Sequence, residues 1–220
     1  RVYAASSLKF LLDQEIAVKL LRPHIQEVIK IFVKLMDDID NEEVVSSLEE
    51  VVAVYHEEVS PYALDLILKL ADSFFVYTSN EDEENTEATL AAAGCLGTIK
   101  KILKFKLSQE AYHKAVDILV PVFNHVLTEE ASMAYLEDGI ACFNAVLFNV
   151  NEISEKLWHY FLVINYIITG KPANIPTDIS LADMPEEKKL IYDGTESGWG
   201  PEHIEHFIGA LQNYIFKGKG

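Results

Sequence analysis

Two histidines and a glutamate, His203, Glu205 and His206, stand together in the stretch PEHIEH. Imidazole and carboxylate groups bind zinc and move protons, and residues three apart share a helix face. Zinc hydrolases, however, use HExxH or HxxEH, and the spacing here is neither. No further His or Cys lies nearby in sequence as a third ligand, so a solvated helix start with one histidine against the core is the preferred reading. The stretch GTESGWG, 194–200, sets Ser197 among glycines but lacks the GxSxG order of a nucleophile elbow and the lysine of a phosphate-binding loop. No catalytic residue, metal ligand or cofactor-binding residue is assigned, and the chain is not expected to be an enzyme.

Carboxylates give the stronger pattern. Glu42 and Glu49 are seven apart, as are Glu43, Glu50 and Glu57. Seven residues make two helical turns, so these glutamates form two adjacent rows opposite Val45, Leu48, Val52 and Tyr55. No Lys or Arg lies between Asp37 and Lys69 to neutralise them. Glu129, Glu130, Glu137 and Asp138 repeat the arrangement, with no basic residue before Lys156, and Glu81, Asp82, Glu83 and Glu84 form an acidic run. Lysines gather instead at Lys100, Lys101, Lys104 and Lys106, where they complement a helix C-terminus. Two readings stand: a cradle for a basic ligand, or solvated faces that keep the protein in solution.

The elements that carry these residues are helical. Apolar residues recur at three-to-four spacing, as in Ile25, Val28, Ile29, Phe32, Leu35, Met36 and Ile39. Helices are expected over 22–39, 41–58, 61–77, 86–105, 108–127, 129–150, 154–168 and 201–216, with residues 2–12 as the tail of an earlier one. Ser60 before Pro61, Ser108, Thr128 and Ser154 are N-cap candidates, and Gly170 with Lys171-Pro172 is a stop. Pairs of long helices with short links, at roughly 40–50 residues per pair, match the period of HEAT or armadillo arrays. The expected fold class is all-α: an α-α superhelix, or HEAT-repeat solenoid, of roughly four to five helix pairs over 1–220. A globular helical bundle is the rival, and the two-helix rhythm argues against it. An acidic loop at 80–87 and a long insert at 171–200, holding one short helical turn at 181–189, break the rhythm. In such an array the helices carrying the two acidic faces are both second helices of their pairs, which line one concave surface.

Composition agrees. Among 220 residues, 18 Lys and Arg face 35 Asp and Glu, a formal net charge of -17, while half the residues are hydrophobic. Such acidity disfavours nucleic acid and anionic membrane and favours a basic protein partner. The longest strongly apolar stretch, 158–168, carries His159 and Asn165 and is far short of the ~20 residues a membrane helix needs. Cys95 and Cys142 make no disulfide framework and are expected to be buried, inert thiols in a reducing compartment. Opening on Arg1 inside a helical pattern and ending at Gly220 without a clear domain end, the sequence reads as a fragment of something longer.

Three stretches carry a resemblance. EEVSPYALDLILKLADSF at 57–74, the acidic loop followed by NTEATLAAAGCLGTIKKIL at 85–103, and WGPEHIEHFIGALQNYI at 199–215 resemble, in order, helices of the importin-β superfamily, the karyopherins. The likeness is to the branch containing importins seven and eight, in its middle-to-late repeats; the insert at 171–200 departs from that pattern. The resemblance implies a nuclear transport receptor that shuttles between cytoplasm and nucleus through the nuclear pore. It implies protein cargo, release or binding under the small GTPase Ran (mainly through repeats outside this stretch), and contact with Phe-Gly nucleoporins. Basic cargoes such as ribosomal proteins or histones would suit the acidic wall. An exportin of the same superfamily, or a HEAT scaffold of a phosphatase or coat assembly, are the other functions such a fold implies.

Overall fold

The structure, a computed structural model, describes residues 2–38, 42–79, 86–128, 134–169 and 204–218. Every regular element among them is helical, as the sequence pattern requires. In chain order they are α1 (Val2–Ser6), α2 (Leu8–Leu11), α3 (Glu15–Leu21), α4 (Ile25–Asp38), α5 (Glu42–Val54), α6 (His56–Val59), α7 (Ala63–Ser79), α8 (Thr86–Leu103), α9 (Gln109–Thr128), α10 (Leu136–Asn149), α11 (Glu155–Thr169) and α12 (Ile204–Lys217). Two 3₁₀ turns, Arg22–His24 and Ser60–Tyr62, each with a proline near the start, lead into α4 and α7. The chain divides into two compact units, Arg1–Val120 and Pro121–Gly220. The division falls inside α9 at Pro121, a residue with no amide hydrogen to donate to the helix.

In the first unit the helices stack as two neighbouring pairs, α4 with α5 and α7 with α8. Second helix lies on second helix, α5 against α8, and first lies on first, α4 against α7. That arrangement is the HEAT-type repeat expected from the sequence. It works because each helix has an apolar stripe that its own partner cannot cover alone. Val44, Val45, Leu48, Val51 and Val52 of α5 are all fully buried, each worth about 1.5–3 kcal/mol relative to exposure. Where α8 faces α5 it carries Gly94 and Gly97, which lets the two backbones come close. At Gly94 a β-carbon would stand 3.1 Å from Val45 Cγ1.

The second unit centres on an aromatic cluster. Phe123, Phe143 and Tyr160 meet edge to face with ring centroids 5.2, 5.8 and 5.3 Å apart, the arrangement their quadrupoles favour. The Tyr160 hydroxyl donates to Asn124 Oδ1 at 2.7 Å, so its polar end is satisfied. Tyr214 of α12 packs on Trp158 and Phe161, and its hydroxyl donates to the Leu157 carbonyl. Burial pushes the Tyr214 phenol far above its usual range. Cys95 of the first unit and Cys142 of the second are buried and form no disulfide, and desolvation raises the pKa of Cys95 as well.

Several expected boundaries move. Residues 2–12 form two short helices rather than one tail, and a further helix, α3, follows them. The helix expected over 41–58 ends at Val54, because Tyr55 adopts φ -114 and ψ 37 and a new short helix begins at His56. Ser60 has helical torsions, φ -48 and ψ -40, and its amide donates to the His56 carbonyl, so it is not an N-cap. Thr128 is the last residue of α9 rather than the cap of the next helix, and Thr86 and Glu87 of the expected loop 80–87 already belong to α8. Ser108 and Ser154 cap as expected, accepting from the amides of Ala111 at 3.1 Å and Leu157 at 3.4 Å. The insert at 171–200, with its expected turn at 181–189, the stop at Gly170 and the stretch GTESGWG, lies outside the described residues.

Candidate partner-binding surface

The acidic rows begin with α5. Its apolar side is fixed by burial of Val45, Leu48, Val52 and Tyr55, so the residues opposite must face away from the core. Glu43 and Glu50 are exposed there. Glu57 is exposed too, but it belongs to α6, beyond the break at Tyr55, rather than to the same helix. Glu42 is the first residue of α5; its side chain lies outside what is described.

The second row behaves differently. Glu49 is half-buried at the seam between α5 and α8, where its Oε1 would stand 3.3 Å from a β-carbon at Gly97. One turn further along α8, Lys101 Nζ stands 3.2 Å from Glu49 Oε1 and 3.5 Å from Glu50 Oε1. The absence of Lys and Arg between Asp37 and Lys69 therefore does not leave this helix unneutralised. The cation comes from a neighbouring helix about fifty positions on. The sequence places Lys101 at a helix C-terminus, where a dipole role explains it locally, and nothing local signals its cross-helix partners. Among the described residues Glu43 and Glu57 take no lysine or arginine.

A second cation was equally hidden. Arg22 pairs with Glu58 and lies over the Tyr55 ring, 5.6 Å from its centroid, while the Tyr55 hydroxyl donates to the Val18 carbonyl at 3.0 Å. This cluster ties α3 and the first 3₁₀ turn to the point where α5 ends. It also raises the Tyr55 pKa, chiefly by burial, against the lowering effect of Arg22.

The other predicted acids are distributed between helix starts and undescribed stretches. Glu137 is exposed and Asp138 half-buried, and both stand in the first turn of α10, where negative charge complements the helix dipole. Glu81, Asp82, Glu83, Glu84, Glu129 and Glu130 lie outside the described residues. The expected register between the acidic face of α5 and that of α10 concerns two separate units, Arg1–Val120 and Pro121–Gly220. Of the histidine group, Glu205 is exposed and His206 half-buried on α12, while His203 is not described. Among the described residues no group of three His, Cys, Asp or Glu side chains could hold a metal ion, and no helix is long and apolar enough to cross a membrane.

No protein-family model matches the chain, and no solved structure does. Curated proteins do match. The chain is 31% identical over 204 residues, 91% of its length, to an importin beta-like SAD2 homolog of Arabidopsis thaliana, of which it covers 17%. It is 24% identical over 163 residues, 73% of its length, to a probable importin-7 homolog of Dictyostelium discoideum, covering 15% of that protein. It is 30% identical over 105 residues, 47% of its length, to importin-8 of Homo sapiens, covering 10%. The chain thus spans less than a fifth of the length of each of these relatives. Paired helices stacked second on second and first on first, together with these relatives, support a fragment of the importin-β superfamily.

Proposed function

We propose that the chain supplies a cargo-binding wall to a nuclear import receptor, in which the exposed glutamates of α5 and α6 receive a lysine- or arginine-rich segment of protein cargo. Glu42, Glu49, Glu81, Asp82, Glu83, Glu84, Glu129, Glu130, Glu137 and Asp138 are the further carboxylates proposed for the same class of basic partner. The receptor moves between cytoplasm and nucleus through the pore, touches Phe-Gly nucleoporins, and exchanges cargo under control of Ran through other parts of the protein. The observation that carries this reading is the exposed set Glu43, Glu50 and Glu57 on a chain of net charge -17. Its relatives being named importins supports the transport setting. Clustered carboxylates raise the encounter rate of a cation and weaken with salt.

A second reading has its own observation. The ion pair of Lys101 with Glu49 and Glu50, and the helix-start positions of Glu137 and Asp138, are what acids with purely structural work would show. The two readings separate in one experiment. Changing Glu43, Glu50 and Glu57 together to Lys weakens binding of a fluorescein-labelled lysine- and arginine-rich peptide at least tenfold at low salt, with helicity unchanged. Unchanged affinity that also ignores salt would sink the cargo reading. For the longer protein, failure to retain GTP-loaded Ran would remove the transport cycle and favour a fixed HEAT scaffold.

A further inference from the structure

Lys101 sits where a partner's cation would have to go. Its ammonium lies 3.2 Å from Glu49 and 3.5 Å from Glu50, and it reaches them from α8, a helix that cannot swing away. Leu96, Ile99 and Ile102 of α8 are fully buried, and a β-carbon at Gly97 would stand only 3.3 Å from Glu49 Oε1, so the two helices lie close at this point. The three side chains differ in how open they are: 31% exposed for Lys101, 28% for Glu49 and 48% for Glu50. Glu50 is thus the accessible member of the triad, and Glu49 is the anchored one. Glu43 and Glu57 flank it in sequence, exposed and with no lysine or arginine on them among the described residues.

We infer that Lys101 is a built-in competitor of the cationic partner: a basic segment settles on Glu43 and Glu57 directly, but takes Glu50 only by displacing the chain's own ammonium. This inference rests on the basic-partner reading of α5 and α6 and adds a residue that sets its strength. It stands on the cross-helix lysine and its fixed helix, since carboxylates alone would not select a ligand. A partly exposed ion pair is weak enough for a partner to replace, and strong enough to tax its affinity. Because Glu49 stays half-buried under α8, the displaced Lys101 leaves a carboxylate pair that favours a bound ammonium more than an isolated surface glutamate does.

The test uses the full chain and a fluorescein-labelled octalysine, followed by anisotropy at low and at physiological salt. The variants are K101M, which keeps the aliphatic stem and removes the charge, and the double reversal E43K/E57K, which leaves the Lys101 contacts in place. K101M is expected to bind about three- to fivefold tighter at low salt, the gap closing as salt is raised. E43K/E57K is expected to bind more weakly. If E43K/E57K weakens binding while K101M binds no tighter than the original chain, the competitor is overturned and the basic-partner reading stands. If neither variant changes binding, both fall together. Should K101M lower the melting temperature, K101Q provides the same charge removal with a polar tip, and the same comparison decides.

Discussion

Lys217 Nζ donates to the main-chain oxygen of Leu147 at 2.6 Å, and the same ammonium reaches the carbonyls of Phe148, also at 2.6 Å, and Val150. These are carbonyls at the end of α10, which no amide within that helix can satisfy. A lysine from α12 therefore caps a helix some seventy positions earlier and complements its dipole, fixing where α12 lies along α10. Changing Lys217 to Met is expected to cost roughly 1–2 kcal/mol, with the amides of α12 losing hydrogen-exchange protection ahead of the rest. A urea midpoint that does not move would show the contact to be incidental.

Gly139 of α10 tests how tightly α9 and α10 meet. A β-carbon there would stand 2.4 Å from Val126 Cγ1 and 3.0 Å from its Cβ and Cγ2. Valine in a helix has essentially one rotamer, so the neighbour cannot turn aside. Gly139→Ala should therefore destabilise by roughly 1–2 kcal/mol, although alanine is the better helix former. Adding Val126→Ala should recover part of the loss, a coupling that a double-mutant cycle reads directly. Gly97→Ala is the contrast, because its nearest neighbour is the movable end of the Glu49 carboxylate.

Where helix and core rest on local spacing, the sequence is readable. Ile25, Ile29, Phe32, Leu35 and Met36 recur at helical intervals, and all five are buried. Tyr55 shows where that stops. Its apolar position suits an unbroken helix to residue 58, but its ring takes Arg22 and its hydroxyl takes the Val18 carbonyl, and the backbone turns to allow both. The same holds for the acidic surface. Glu43 and Glu50 are exposed because the spacing of their apolar neighbours already points them outward. Lys101 joins Glu49 and Glu50 only because α8 packs on α5, and its role depends on small residues at Gly94 and Gly97 that look like ordinary helix interior in one dimension.

The first turn of α9 gives a pH signature. Lys114 Nζ donates to Glu110 Oε1 at 2.7 Å, and that hydrogen bond, with the lysine's charge, holds the Glu110 carboxyl below its usual range. A lowered folded-state pKa means that the pair's contribution is present above the ordinary glutamate midpoint and is lost as pH falls through the lower folded one. The Glu110 carboxyl resonance in a carbon-detected NMR titration should therefore move at a lower pH than that of a free glutamate. Lys114→Met should return it to the ordinary range. An unchanged midpoint in that variant would assign the shift to the helix N-terminus instead.

Ser60 and Ser108 look alike in sequence, each before a helix, yet only one caps. Ser108 Oγ accepts from the Ala111 amide at 3.1 Å at the start of α9, whereas Ser60 has helical torsions inside a 3₁₀ turn. An N-cap side chain satisfies an otherwise orphaned donor, and its loss typically costs about 1 kcal/mol. Ser108→Ala should therefore lower stability by about that amount, and Ser60→Ala should leave it nearly unchanged. Ser154→Ala should fall between them, since its bond to the Leu157 amide is stretched to 3.4 Å. Urea unfolding of the three variants ranks them. If Ser60→Ala costs as much as Ser108→Ala, the chain enters α7 through a cap at Ser60 and Pro61 rather than through a continuous turn from α6.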